Sequence, residues 1–394
     1  MNRQDFVPQI PYGTRDFLPV DAKYKRDIEG ALAALFSRWG YDEVVTPTFE
    51  YLETLTLGVG GDMQQNMFKF LDKNNRILAL RPDMTAPIAR LAATRLKEEP
   101  WPLKVFYLTN VFRYEQAQTG RQCEFYQAGV ELMGIPGPSA DAEIIALAVE
   151  TMLQSGLKQF QISLGQVDFI NGIMDEFNLE TQQRQQFKHC IVTRNLVGLN
   201  ELMTTSHLCE KTRQLFKDIP VLHGKDEVLQ KAVGMVNNQI SRQALDNVAH
   251  IYRLLDNYGV AEYVNFDLGL IRDFDYYTGM VFEGYTPGLG FPLCGGGRYD
   301  GMLKSFGMDC PATGFALGIE RLLLAMDRQG LKTTGGECGV YVGWSEGQLP
   351  AAIMQAKELR RQGLAVELAM IAEKHSEAEE SQQRRGFDRL LYCE

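Results

Sequence analysis

The sequence predicts an α+β protein: an antiparallel sheet flanked by helices, with a helical insertion and a small C-terminal α/β unit. Three observations predict it. Segments rich in Val, Tyr and Phe recur as hairpins between amphipathic helices. A long, locally polar helical stretch interrupts them from about residue 168 to 260. After a Gly-rich linker, a strand–helix–strand run closes the chain.

Taken in order, the first helix is capped by Asp21, carries Ile28, Leu32, Leu35 and Phe36 on one stripe, and stops at Gly40. EVVTP (Glu43 to Pro47) reads as a short strand. FKFLDKNNRILALR reads as a hairpin turning at Asn74 and Asn75. Thr85 opens a helix to about Lys97, KVFYLTNV is strand-like, and Asp141 to Gln154 is an apolar helix. QFQISLG precedes the helical insertion, YVNFDLG and MVFEGY follow it as strands, and a helix spans about Ile319 to Gln329. The core thus covers residues 1–330, residues 331–336 form the linker, and residues 337–394 form the appendage, too short for more than a thin core.

Bulk properties bound the function. The 394 residues suit two or three domains, and 45% hydrophobic with 23% charged residues describes an ordinary soluble globular protein. No apolar run approaches the roughly 20 residues needed to span a bilayer, and the N-terminus lacks the basic and apolar regions of a signal peptide, so a cytoplasmic protein without a membrane partner is expected. Seven cysteines without a CxxC pair point to reduced thiols, and five scattered histidines to no metal site. A net charge of −10 disfavours a nucleic-acid partner. No GxxxxGK[ST] phosphate loop occurs, and no cofactor is expected.

The densest chemistry lies in FRYEQAQTGRQCEFYQAGVE, Phe112 to Glu131, two strands around a loop containing Gly120. Side chains two apart share a strand face. Arg113 therefore falls with Glu115, and Gln127 with Gly129 and Glu131, the glycine leaving room between two polar groups. The set suits a pocket for a small zwitterion, and equally a cross-strand salt bridge on a solvated face.

Four further islands accompany it. In Arg81-Pro82-Asp83-Met84-Thr85, the carboxylate and hydroxyl either cap a helix or offer Asp83 to an ammonium group. In IRDFDYYTGMVFE, Arg272 beside Tyr276 and Tyr277 suits a carboxylate and a planar ring, or else the tyrosines are half-buried core. CGGGRYDG allows close backbone approach to a ligand, or a sharp bend between strands. GFALGIERL carries Arg321 into a helix, where it meets either a phosphate or a neighbouring acid. No Ser/His/Asp or Cys/His apparatus is present.

In this order the islands resemble the core of class II aminoacyl-tRNA synthetases, specifically the histidyl enzyme. GTRDFLP looks like its N-terminal signature, FRYEQ with GRQCEFYQ like motif 2, and GFALGIERL like motif 3. IRDFDYYTG and GGGRYD resemble its two histidine-specific motifs. The resemblance implies an antiparallel sheet of six or seven strands, usually in a dimer. It also implies that Asp83, Thr85, Arg113, Gln127, Glu131, Arg272, Tyr276, Tyr277 and Tyr299 hold histidine, with Arg113 and Arg321 as residual nucleotide contacts.

Departures point to a paralogue. Asp83 stands where the family has Glu, Gln116 and Ala117 follow Glu115 where a proline is expected, Cys123 replaces an arginine, and the appendage is shorter than an anticodon-binding domain. These features resemble the regulatory subunit of short-form ATP phosphoribosyltransferase. That resemblance implies a non-catalytic chain that assembles with a short catalytic subunit, activates it, carries histidine as feedback effector and charges no tRNA. An active histidyl-tRNA synthetase or a histidine-adenylating enzyme is the alternative, because Arg113, Arg272 and Arg321 are all present; a purely structural dimer is a third.

Overall fold

The computed structural model describes residues 8–57, 61–114, 122–177, 179–206, 210–272, 276–331 and 339–394. Glu115, Gln116, Ala117 and Gly120, most of the expected linker, and Asp273 to Asp275 lie outside the described residues. Two compact units divide the chain, Met1–Leu331 and Lys332–Glu394.

In chain order the described strands begin with β1 (Asp42–Glu43), β2 (Phe49–Tyr51), β3 (Lys69–Leu71), β4 (Ile77–Leu80) and β5 (Leu103–Phe112). They continue with β6 (Glu124–Met133), β7 (Gln161–Gln166), β8 (His223–Gly224), β9 (Val264–Asp267) and β10 (Met280–Tyr285). Next come β11 (Cys294–Arg298) and β12 (Ala312–Gly318), and in the second unit β13 (Val340–Trp344), β14 (Val366–Leu368) and β15 (Arg389–Cys393).

The first unit is organised on a nine-stranded sheet in the order β1-β5-β6-β12-β11-β10-β7-β9-β8. Its middle is antiparallel, as expected, but β1 pairs with β5 and β7 with β9 in parallel. Both exceptions follow from long connections. The chain between β7 and β9 passes through six helices, from Val167–Glu176 to Gln239–Asn257, and parallel pairing requires such a crossover. The short β8 within that helical region also pairs with β9, so the insertion is not wholly helical.

Alternation along the central strands separates two faces. Phe106 on β5 and Ala128, Val130 and Leu132 on β6 enter the main core. They meet Leu32, Leu35 and Phe36 of helix Pro19–Arg38 and the apolar helix Pro138–Gln154. The opposite face carries Val105 and Tyr107 on β5, and Gln127, Gly129 and Glu131 on β6. Against that face pack Met84, Ile88 and Ala89, with Tyr276 and Tyr299.

Local details correct several expectations. Helix Pro19–Arg38 begins with proline at its first turn and Leu18 as a cap that makes no side-chain bond, so Asp21 sits inside the turn rather than capping it. EVVTP contributes only Glu43 to a strand; beyond it, Arg81 donates to the carbonyls of Thr46 and Pro47 (2.9 and 3.2 Å). Thr85 is the first helical residue; the carboxylate of Asp83 accepts its N–H at 3.1 Å, and the helix ends at Thr94. The triple glycine is neither a bend nor a loop but the middle of β11, fully inside the sheet.

A separate small sheet, β2-β4-β3, uses the hairpin expected at FKFLDKNNRILALR. Asn75 turns it with φ 60°, and the Asp72 carboxylate accepts the N–H groups of Asn74 and Arg76 (2.7 and 2.9 Å). The second unit has three parallel strands, β14-β13-β15, around Val340, Val342, Ala352, Ala356 and Ala378. No helix among the described residues is long and apolar enough to cross a membrane.

Candidate functional site

All ten residues singled out by the sequence line one cavity of about 100 Å³ on the polar face of the main sheet. A water needs roughly 10–15 Å³ by this measure, so the space suits a small molecule of several polar groups. Six segments converge on it. Asp83 and Thr85 come from the corner between β4 and helix Thr85–Thr94, Arg113 from the end of β5, and Gln127 and Glu131 from β6. Arg272, Tyr276 and Tyr277 precede β10, Tyr299 follows β11, and Arg321 stands on helix Ile319–Arg328.

Charge is divided within the cavity. Glu131, only 2% exposed, accepts the Tyr299 hydroxyl and a bond from Thr85. Burial pushes its carboxyl up to about 8, and the nearby Asp83 charge adds to the rise. Asp83 is raised by burial too, partly offset by the Arg113 guanidinium and by backbone N–H groups. Two carboxylates that resist ionisation invite a cationic group. Opposing them, Arg113 donates to the Pro82 carbonyl at 2.8 Å, Arg272 to the Phe282 carbonyl at 3.2 Å, and Arg321 to the Pro292 carbonyl at 2.8 Å.

Three buried polar atoms in this lining have no hydrogen-bond partner among the described residues: Asp83 Oδ2, Gln127 Oε1 and Arg272 Nε. Buried polar groups are normally satisfied, and each orphan costs about 1–3 kcal/mol. Two acceptors and one donor match a ligand bearing both an ammonium and a carboxylate. The tyrosine rings add a planar wall, with Tyr276 4.7 Å from Tyr277 and 6.0 Å from Tyr299 between centroids.

The glycines make room for these side chains. A Cβ on Gly295 would lie 1.4 Å from Arg272 Nη1, and one on Gly314 would lie 2.0 Å from Glu131 Oε2. Arg272 and Glu131 therefore lie directly across glycine backbone. Tyr107, which the sequence reading passed over, also lines the cavity and is fully buried. Its signal was a polar ring directly opposite Gly129 in the hairpin register. Burial pushes the Cys294 thiol, also in the lining, up to about 12, so it stays protonated.

Other motif residues are structural. Arg81 spends its guanidinium on Thr46, Pro47, Thr109 and Asn110, pinning the corner that presents Asp83. Arg298 forms a bidentate pair with Asp141 (2.7 and 3.2 Å). Cys123 is buried beneath the N-terminal signature, where its N–H donates to the Gly13 carbonyl at 2.7 Å. Among the described residues no group of three or more His, Cys, Asp or Glu could hold a metal ion.

Comparison with known proteins places this geometry. A family model described as Histidyl-tRNA synthetase matches residues 13–322. An ATP phosphoribosyltransferase regulatory subunit from Desulforamulus reducens is 43% identical over 381 residues, 96% of this chain and 94% of that protein. Another, from Moorella thermoacetica, is 43% identical over 380 residues, covering 96% and 97%. The crystal structure of an ATP phosphoribosyltransferase regulatory subunit/histidyl-tRNA synthetase from Bacillus halodurans has a TM-score of 0.88 at 35% identity, covering 98% of each chain. A histidyl-tRNA synthetase from Nostoc sp. PCC 7120 shares the fold at 20% identity, with a TM-score of 0.84 over 99% of this chain and 92% of that one.

Proposed function

Since this chain belongs to the ATP phosphoribosyltransferase regulatory subunits, a family with the histidyl-tRNA synthetase fold and a regulatory role in histidine biosynthesis, we propose that it is a histidine-sensing, non-catalytic subunit. The phosphoribosyl transfer takes place on a short catalytic subunit, which this chain activates. Histidine bound in the cavity of Asp83 and Glu131 biases the assembly toward its less active state.

The observation that carries the reading is the trio of orphaned atoms, Asp83 Oδ2, Gln127 Oε1 and Arg272 Nε, in one small cavity. In the proposed complex the α-ammonium meets Asp83 and Gln127. The carboxylate meets Arg113 and Arg272, and an imidazole N–H meets Glu131 beside the tyrosines. For histidine to regulate, it must bind the two states of the assembly differently, typically by about 1–3 kcal/mol.

Self-association as a dimer belongs to the same proposal. Phe49, Tyr51 and Phe70 are exposed on one face of the small sheet, with Phe49 and Phe70 packed edge-on at 5.8 Å. An apolar face of that kind favours burial against a second copy.

Mixing tests the reading. The short catalytic subunit should gain activity on addition of this chain and lose it on addition of histidine. Arg272→Ala or Glu131→Ala should abolish the histidine response while co-elution of the two subunits persists. A second reading, histidine adenylation, draws on the presence of Arg113, Arg272 and Arg321 in one lining. Appreciable histidine-dependent ATP–pyrophosphate exchange by this chain alone would overturn the regulatory proposal in its favour.

A further inference from the structure

One row of paired residues crosses seven of the nine strands of the main sheet on its polar face. It runs from Tyr107 to Gly129, Ala316, Gly295, Glu283, Ser163 and Asn265, each opposite the next on neighbouring strands. The first half floors the carboxylate cavity. The second half floors another cavity, of about 500 Å³, roofed by Ile191, Val192 and Arg194 and by residues 223–224 of the helical region. Arg272 lines both. Small-molecule pockets usually span roughly 300–1,000 Å³, so this one has the right size for a ligand larger than an amino acid.

Its chemistry is specific. The charged groups are already matched: Asp267 takes Arg194 at 3.3 Å and the Gly269 N–H at 3.1 Å. Glu283 takes the Tyr285 hydroxyl and faces Arg272 Nη1 at 3.6 Å. By contrast, the half-buried side chains of Gln161, Ser163 and Asn265 make no hydrogen bond among the described residues. An uncharged ligand is favoured, because any net charge would meet a compensated wall. It must both donate and accept, because amide and hydroxyl groups offer both roles while the two carboxylates only accept. Ile191, Leu270 and Ile271 supply an apolar side for a flat ring.

We propose that this second cavity binds a ligand presenting vicinal hydroxyl groups beside a planar base, of the ribonucleoside type. The diol lies on Ser163, Asn265 and Asp267, and the base rests against the apolar side. The site is separate from the carboxylate cavity and does not depend on histidine being bound there.

Titration calorimetry on the full chain tests it with adenosine and 2′,3′-dideoxyadenosine. Adenosine should bind saturably, one per chain, and at least tenfold more tightly than the dideoxy analogue. Asn265→Ala and Ser163→Ala should each weaken adenosine at least fivefold with an unchanged thermal midpoint, while Glu131→Gln leaves it unaffected. Absence of saturable adenosine binding would overturn the proposal. So would equal affinity for the dideoxy analogue, or a loss caused by Glu131→Gln but by neither floor variant, which would place the nucleoside in the first cavity.

Discussion

Replacing Glu131 by Gln isolates the electrostatic state of the cavity. The carboxyl is raised from 4.5 to about 8 by burial, a displacement of about 3.5 pH units. Such a displacement corresponds to about 5 kcal/mol against the ionised form in the folded chain. Because the folded value lies above the unfolded one, the stability contributed by the protonated group is complete below about pH 4.5. It is lost progressively as the pH rises through about 8. Glutamine keeps the shape and has no proton to lose. Urea denaturation of both proteins between pH 5 and 9, without ligand, should show the wild type falling behind the variant by up to about 4 kcal/mol over that window. Denaturation free energies that stay parallel within about 1 kcal/mol across that window would refute the buried-carboxylate reasoning. Saturating histidine should narrow the gap, since an imidazole N–H donated to Glu131 favours its ionised form.

Three further outcomes are expected. Gly295→Ala places a Cβ 1.4 Å from Arg272 Nη1, so the guanidinium must move; histidine affinity should fall at least tenfold by calorimetry, and an unchanged affinity contradicts the assigned role of Arg272. Arg298→Ala leaves Asp141, 1% exposed, without its bidentate partner, and should cost about 3–5 kcal/mol in urea denaturation; a loss below about 1 kcal/mol means the pair is not desolvated as described. Phe70→Asp puts a charge on the exposed face of the small sheet and should shift sedimentation from dimer to monomer, whereas a persistent dimer locates the interface elsewhere.

Much of the cavity was legible before any coordinates. The period-two pattern of Gln127, Gly129 and Glu131 places them on one face of β6, and that face is the one opposite the core. Local pattern failed where a side chain is claimed by a distant part of the chain. Arg81 and Arg298 look as functional in sequence as Arg272, yet they pair with backbone carbonyls and with Asp141, which only folding brings near. Thr85 illustrates a smaller failure, because capping from Asp83 depends on a carboxylate that is also aimed into the cavity.

By itself the sequence determined most element types, the antiparallel middle of the sheet, the family and ten of the residues that line the first cavity. These follow from short-range rules: alternation, helical spacing and motifs whose residues are neighbours along the chain. Only the tertiary structure decided that the glycines of β11 and β12 give space to Arg272 and Glu131, that Tyr107 joins the lining, and that the polar row continues to Ser163 and Asn265. Those facts depend on which strands lie side by side. Strand order in a sheet with two long crossovers is set by packing across the whole unit, not by any segment alone.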